Sequence, residues 1–361
     1  MDDSPETFRV LVIRLGALGD VANTIPAVAA LRREIPGLRV SWLVEESSFD
    51  LVRLSGVADE VILFPRRKIS GHFRGLRWRS GWRELRAVIG KLRAAAYDAT
   101  LDFQGNFKSG MLSRWSRAGE RVGFAPGFCR EMNWLFNSVQ AAPSARRLPR
   151  AEKNAALAQV LAPDLALGPV EIPADADGAA AAEAFLRGLP GHGPVVVLHP
   201  GASAFGQFKR WPAERYGHVA RQLRQTRGAR CVVTWGPSER DLAAQVVANS
   251  DGAAVMAPEL TLAGLLELLR RADLMIACDT GPLHIAALLR RPLVALFGPK
   301  DPAIYGPYGT RCEIVLAGSD CAPCTRRRCD HVRCMMDIMP ETVVGAAERM
   351  LAHSPGWQEG E

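Results

Sequence analysis

The sequence predicts an α/β protein in two halves, each organised around a parallel sheet. Three observations carry that expectation. A strand–helix–strand series opens the chain, a second series begins at Gly193, and a Pro- and Ala-rich segment over about 140–190 separates them. The length of 361 residues suits two domains of ordinary size better than one.

Taken in order, "FRVLVIRLG" crowds apolar residues between Phe8 and Leu15 and predicts a buried first strand. "DVANTIPAVAALRREIPG" follows as one helix and "LRVSWLVEE" as the second strand, which makes a βαβ unit. "YDATLDFQG" repeats the strand-to-loop pattern near residue 100. The separating segment predicts one helix, around 151–161, between irregular pieces. In the second half, "GPVVVLHPGA" is a strand ending in a glycine turn and "ERYGHVARQLRQTRG" an amphipathic helix. "ARCVVTWGPSERD" is strand and loop, and "TLAGLLELLRRA" is a helix. "DLMIACDTGPLHIAALL" is a strand running into a helix, and "RPLVALFGP" is a last strand. Near the C-terminus "ETVVGAAERMLAHS" is helical by pattern. Ligands of open parallel sheets bind beyond the carboxyl ends of the strands, so the loops there are the places to search, with a cleft between the halves the expected place for chemistry.

Hydrophobic residues at 48% and charged residues at 23% supply a core and exclude a disordered chain. The acidic start "MDDSPETFRVLVIRLG" lacks the basic, then apolar, profile of a secretory signal, and no apolar run reaches the ~18 residues of a spanning helix. A cytoplasmic protein is expected, with its eight cysteines reduced by default. The net charge of +7 is concentrated in residues 66–93, which hold ten Lys or Arg and one acid, Glu84. Such a block fits an anionic partner or a solvated helical face.

Four loops carry candidate chemistry. In "RLGALGD", Gly16 and Gly19 permit close backbone approach to a ligand, and Asp20 fits either a helix N-cap or a general base at a strand end. The spacing is neither a dinucleotide fingerprint nor a P-loop. In "HPGASAFGQFKRWPAERY", glycines and Ser203 precede Lys209 and Arg210, as suits an anion-binding loop ahead of a helix with Pro212 near its first turn. In "WGPSERD", Glu239 fits a ribose-hydroxyl acceptor or an acid in a first helical turn. In "DTGPLHIAALL", Thr280 suits a cap, Gly281 permits close approach, and Pro282 stands where an N–H would be unsatisfied anyway. The free N–H groups there form an anion seat, which His284 can supplement, and Asp279 beside it needs a partner or a purpose.

In this order and separation, "IRLGALGDVANTIPAVAALRREIPGLRVSWLVEE", "YDATLDFQGNFKSG", "HPGASAFGQFKRWPAERY" and "DTGPLHIAALLRRPLVALFGPKDP" resemble the heptosyltransferases of glycosyltransferase family 9 over nearly the whole chain, closest to the type I enzymes that place the first heptose on Kdo. The resemblance implies a GT-B architecture: two Rossmann-like domains whose parallel sheets face each other across a cleft. Residues 1–170 would bind the acceptor, 171–345 the nucleotide-sugar, and 346–361 would form a tail, with the last helix crossing back to the first domain. It also implies inverting, metal-independent transfer of L-glycero-D-manno-heptose from ADP-heptose to the Kdo–lipid A region of lipopolysaccharide. The protein would then lie peripherally on the cytoplasmic face of the inner membrane.

By residue, the resemblance makes Asp20 the base and places Lys209 on the donor diphosphate. Gly19, Ser203, Thr280, Gly281 and His284 are donor-binding, Asp279 contacts the donor sugar and Glu239 the ribose. Arg66, Arg67 and Lys68 meet the acidic acceptor, with Arg74, Arg77, Arg79 and Arg83 as further candidates. Phe73, Trp78 and Trp82 are interleaved with them, as in a segment resting on a membrane, which favours anionic lipid over nucleic acid. No cofactor is required by this chemistry. Cys321, Cys324, Cys329 and Cys334 form C-x2-C-x4-C-x4-C, which leaves open a structural zinc or iron–sulfur site, free thiols or a redox-dependent pair. Three rival functions stand beside this one: a family 9 transferase with another donor or acceptor, a GT-B epimerase or hydrolase acting on a nucleotide-sugar, and a non-catalytic protein that binds RNA or anionic lipid.

Overall fold

A computed structural model describes residues 7–202, 204–324, 329 and 331–352, which form two compact units, Met1–Pro173 and Ala174–Glu361. Ser203 lies outside the described residues.

The first unit runs β1 (Arg9–Ile13), α1 (Leu18–Ala22), α2 (Ile25–Glu34), β2 (Arg39–Glu45), α3 (Phe49–Ser55), β3 (Glu60–Phe64), α4 (Arg66–Arg74), α5 (Trp78–Ala94), β4 (Ala99–Asp102), α6 (Phe107–Ser116), β5 (Glu120–Phe124), β6 (Val139–Ala141) and α7 (Arg150–Ala158). Its strands are parallel in the order β3-β2-β1-β4-β5-β6. Val10, Leu11, Val12 and Ile13 of β1 are fully buried because β1 is central and helices cover both faces, so its sequence is apolar without alternation. The helix expected to begin at Asp20 is two helices. Pro26 has no N–H to return to the carbonyl four residues back, so α1 ends at Ala22 and a new helix starts at Ile25. The Thr24 hydroxyl donates to the Asp20 carbonyl at 2.9 Å across the break.

The second unit runs α8 (Ala176–Arg187), β7 (Val195–His199), α9 (Ala213–Arg227), β8 (Arg230–Val233), α10 (Arg240–Ala248), β9 (Ala254–Met256), α11 (Leu262–Arg270), β10 (Leu274–Cys278), α12 (Gly281–Leu288), β11 (Leu293–Phe297), α13 (Pro302–Tyr305), β12 (Cys312–Leu316), α14 (Arg333–Met336) and α15 (Pro340–Ala352). Its parallel order is β12-β11-β10-β7-β8-β9, the same winding as the first sheet. Both units are therefore doubly wound, Rossmann-like α/β layers of the GT-B class. β7, β10 and β11 are buried along their whole length.

One expectation about helices changes. The separating segment holds two helices, because Asp175 caps α8 by accepting the Gly178 N–H at 2.7 Å and the alanine run behind it favours helix. The C-terminal helix α15 is part of the second unit's own core, where Val343, Ala346, Ala347 and Leu351 are buried with Val294 and Leu296. Among the described residues, no helix is long and apolar enough to cross a membrane.

Candidate active site

In a doubly wound sheet the ligand crevice opens where the strand order reverses, here between β7 and β10 in the second unit and between β1 and β4 in the first.

In the second unit β10 ends just before Asp279 and α12 begins at Gly281. Thr280 takes the N-cap position in extended backbone, but its hydroxyl caps nothing: Oγ1 is buried and has no hydrogen-bond partner among the described residues. A buried hydroxyl without a partner beside the free N–H groups of a helix start is suited to an acceptor from outside the chain. The turn Ala204–Lys209 brings Lys209 to the same place. Its Nζ donates to the Asp279 carbonyl at 2.7 Å and to Asp279 Oδ2 at 2.9 Å. His284 Nε2 lies 3.2 Å from Asp279 Oδ1. Burial opposes ionisation of Asp279, yet the His284 contact and the Lys209 ammonium prevail and hold its pKa at about 2. Asp279, Lys209, Thr280, Gly281 and His284 thus converge on one turn.

Glu239 sits nearby on β8's side of β7, at the N-cap position of α10 rather than in its first turn. Its Oε2 accepts the Gly236 N–H at 2.9 Å, and Arg210 Nη2 lies 3.9 Å from Oε1. The Cα of Gly201 packs against this carboxylate so closely that a Cβ there would collide with it. His199, to which nothing in the local sequence points, is 3.8 Å from Glu239 Oε2 through Nε2 and 3.1 Å from Thr234 Oγ1 through Nδ1. Burial lowers the His199 pKa against the opposing pull of Glu239.

In the first unit Asp20 is the third residue of α1, not its cap, and Gly19 precedes it in the same turn. Asp20 Oδ2 pairs with Arg14 Nη2 at 2.7 Å, and Arg14 Nη1 donates to the Phe103 carbonyl at 2.5 Å, so a buried guanidinium ties the carboxylate to the end of β4. Burial pushes the Arg14 pKa down while Asp20 pushes it up. Both residues line a polar cavity of about 140 Å³, together with Gln104, Asn106, Arg130, Glu131, Arg150 and Lys153. Lys153 donates to the Phe128 carbonyl at 2.6 Å and lies over the Phe124 ring. Burial, then the charges of Arg150, Arg14 and Arg130, lower its pKa to about 8, as expected in a field of like charge. Sequence reasoning misses Arg150 and Lys153 because they lie in the segment read as a separator, and Arg130 because the strand β5 ahead of its loop is not picked out.

Arg66, Arg67 and Lys68 form the exposed first turn of α4. Arg66 pairs with Glu45 at 3.1 Å and Lys68 with Glu84 at 2.8 Å. None of the four clustered cysteines is joined in a disulfide; burial raises the Cys334 pKa, and Cys321, Cys324 and Cys329 raise it further. Among the described residues no group of three or more His, Cys, Asp or Glu side chains is arranged to hold a metal ion.

The family profile described as Glycosyltransferase family 9 (heptosyltransferase) matches residues 85–334. Lipopolysaccharide heptosyltransferase 1 of Pseudomonas aeruginosa is 31% identical over 342 residues, covering 90% of this chain and 88% of that protein. Lipopolysaccharide heptosyltransferase 1 of Escherichia coli K12 is 28% identical over 310 residues, covering 84% of this chain and 91% of that protein. Among solved structures, E. coli heptosyltransferase WaaC with ADP superposes with a TM-score of 0.72 at 25% identity, covering 95% of this chain and 100% of that one. With the profile matched over well more than half of its length, the chain belongs to glycosyltransferase family 9 and is a glycosyltransferase.

Proposed function

We propose that the protein transfers L-glycero-D-manno-heptose from ADP-heptose to the Kdo–lipid A region of the lipopolysaccharide inner core, with inversion and without a divalent cation. It would work peripherally at the membrane that carries this acceptor, on its cytoplasmic face. The observation that carries the reading is the turn at residues 279–281, where Lys209, an unpartnered buried hydroxyl and a helix start meet. Similarity to lipopolysaccharide heptosyltransferase 1 along most of both chains supports the donor and the acceptor class.

The chemistry follows from charge. An acceptor hydroxyl oxygen forms a bond to the anomeric carbon as the bond to the diphosphate oxygen breaks on the opposite face, and one such displacement inverts the centre. Asp20 takes the hydroxyl proton. Arg14 fixes one carboxylate oxygen of Asp20 and thereby aims the other. The electron pair leaves with ADP, whose growing charge is met by Lys209 and the N–H groups of α12. That cation and dipole stand where a metal would otherwise neutralise the diphosphate. Glu239 takes the ribose hydroxyls, Asp279 the donor sugar, and Arg66, Arg67 and Lys68 the acidic acceptor.

Release of ADP from ADP-heptose in the presence of Kdo2–lipid A tests this directly. Wild type is expected to turn over with EDTA present, and Asp20→Ala and Lys209→Ala to lose at least about a hundredfold in kcat. A wild type that binds ADP but needs another sugar or acceptor overturns the substrate assignment. ADP release without any acceptor would indicate a hydrolase or epimerase. Failure to bind ADP would sink the reading of the Thr280 turn.

A further inference from the structure

α4 and α5 form an antiparallel hairpin closed by Gly75, Leu76 and Arg77, with Leu76 in left-handed backbone at φ 56°. One end is anchored: Ile69, Val88 and Leu92 are buried in the core that also contains Leu43, Ile62 and Phe64. The closed end is different. Every residue from Arg74 to Arg79 is exposed, and Leu76, Trp78 and Trp82 keep 77%, 57% and 46% of their surface in solvent. Trp78 and Trp82 are four residues apart and so share one face of α5.

The packing shows why these side chains stay outside. Phe73 turns inward, edge-on to Trp78 and Trp82 at centroid distances of 5.5 and 6.1 Å, and lies over Gly81, where a Cβ would meet its ring at 3.0 Å. Phe73 is therefore the prop beneath the two indoles, and their outer edges have no partner among the described residues. Around them stand Arg74, Arg77, Arg79 and Arg83, and residues 74–83 contain no acid. Among the described residues none of these four arginines forms an ion pair, whereas Arg66 and Lys68, at the start of α4, each hold a carboxylate. The unpaired positive charge of the basic block is thus at the same end as its exposed apolar surface.

We infer that the closed end of this hairpin is a membrane anchor, in which Leu76, Trp78 and Trp82 enter the headgroup–acyl boundary of an anionic bilayer while Arg74, Arg77, Arg79 and Arg83 hold its phosphates. Indoles belong at that depth, and clustered guanidiniums match a negative lipid surface. A nucleic acid would use the arginines and could stack on the indoles, but it gives the exposed aliphatic Leu76 nothing to bury against. The acceptor role of Arg66, Arg67 and Lys68 and this anchor are then separate ends of one block. The inference rests on the proposed function only for which membrane is meant.

Cosedimentation of the full-length protein with vesicles tests it. The wild type is expected to bind vesicles of phosphatidylglycerol and phosphatidylcholine, to ignore pure phosphatidylcholine, and to lose binding as salt is added. Acyl chains brominated near the headgroup are expected to quench its tryptophan emission. Leu76→Glu should abolish binding with an unchanged thermal melt, since its side chain is solvent-facing, and Trp78→Glu should abolish it too, at the cost of no more than the edge-on contact with Phe73. Replacing Arg77 and Arg79 together by Gln should weaken it on the order of thirtyfold. Failure of the wild type to bind anionic vesicles overturns the anchor. So does binding that survives Trp78→Glu, or single-stranded RNA bound more tightly than vesicles. The vesicle assay contains neither donor nor acceptor, so an error in the assigned substrates does not alter its result. Conversely, turnover on an acyl-free, soluble acceptor is expected to be the same in Leu76→Glu as in wild type.

Discussion

Asp279 shows how one residue couples site chemistry to stability. Burial should make its charge costly, but His284 and Lys209 lower its pKa from 3.8 to about 2. A carboxylate whose pKa falls on folding adds stability that is fully present above the unfolded value and is lost as the pH drops through the folded one. The window is therefore between about pH 4 and pH 2. Asp279→Asn is expected to cost roughly 2 kcal/mol at pH 6, converting the shift at about 1.4 kcal/mol per unit. The difference from wild type should vanish near pH 2 in urea titrations run across that range. A loss that stays constant with pH would mean the charge is not what stabilises the turn.

Among elements, the strand-end loops do most of the work. Gly201 follows β7 and gives room to the Glu239 carboxylate at the start of α10. Gly201→Ala is expected to push Glu239 off the Gly236 N–H and to weaken ADP binding about tenfold or more by calorimetry, with about 1–3 kcal/mol lost from stability. Unchanged affinity would remove Glu239 from nucleotide binding.

These loops are also the legible part of the sequence. β1, β7, β10 and β11 show as unbroken apolar runs because central parallel strands are covered on both faces. The turn at residues 279–282 shows because a strand stop and a helix start coincide there. What stays hidden depends on partners far along the chain. Nothing local marks Lys153 as buried among Arg14, Arg130 and Arg150, or His199 as the neighbour of Glu239. The helix starts also differ from expectation: the cap position of α1 falls on Ala17, with Asp20 inside the helix and paired with Arg14, and the Thr280 hydroxyl caps nothing. Phe73 is equivalent to Trp78 and Trp82 in the sequence pattern, and only its contact with Gly81 places it beneath them.

For the whole molecule, each unit has its own sheet, core and strand-order reversal. Apart from Gly19, the residues proposed to hold the donor belong to the second unit, and Asp20 belongs to the first. A fragment of residues 174–361 is accordingly expected to fold and to melt later with ADP, by about 2.7 kcal/mol at a hundredfold excess over Kd, whereas 1–173 should show no shift. An ADP response confined to the intact chain would show that the first unit contributes to the nucleotide site.

The contact between Lys209 and Asp279 carries one more consequence. A lysine already engaged by a carboxylate does not capture a diphosphate; it exchanges one anion for another, and the reverse exchange accompanies product loss. At the proposed donor site a built-in rival would wait for the ammonium each time ADP loosened, so dwell time would be set by competition between two anions. A site of this kind gives up some grip on its nucleotide and gains a quicker reset for the next catalytic cycle.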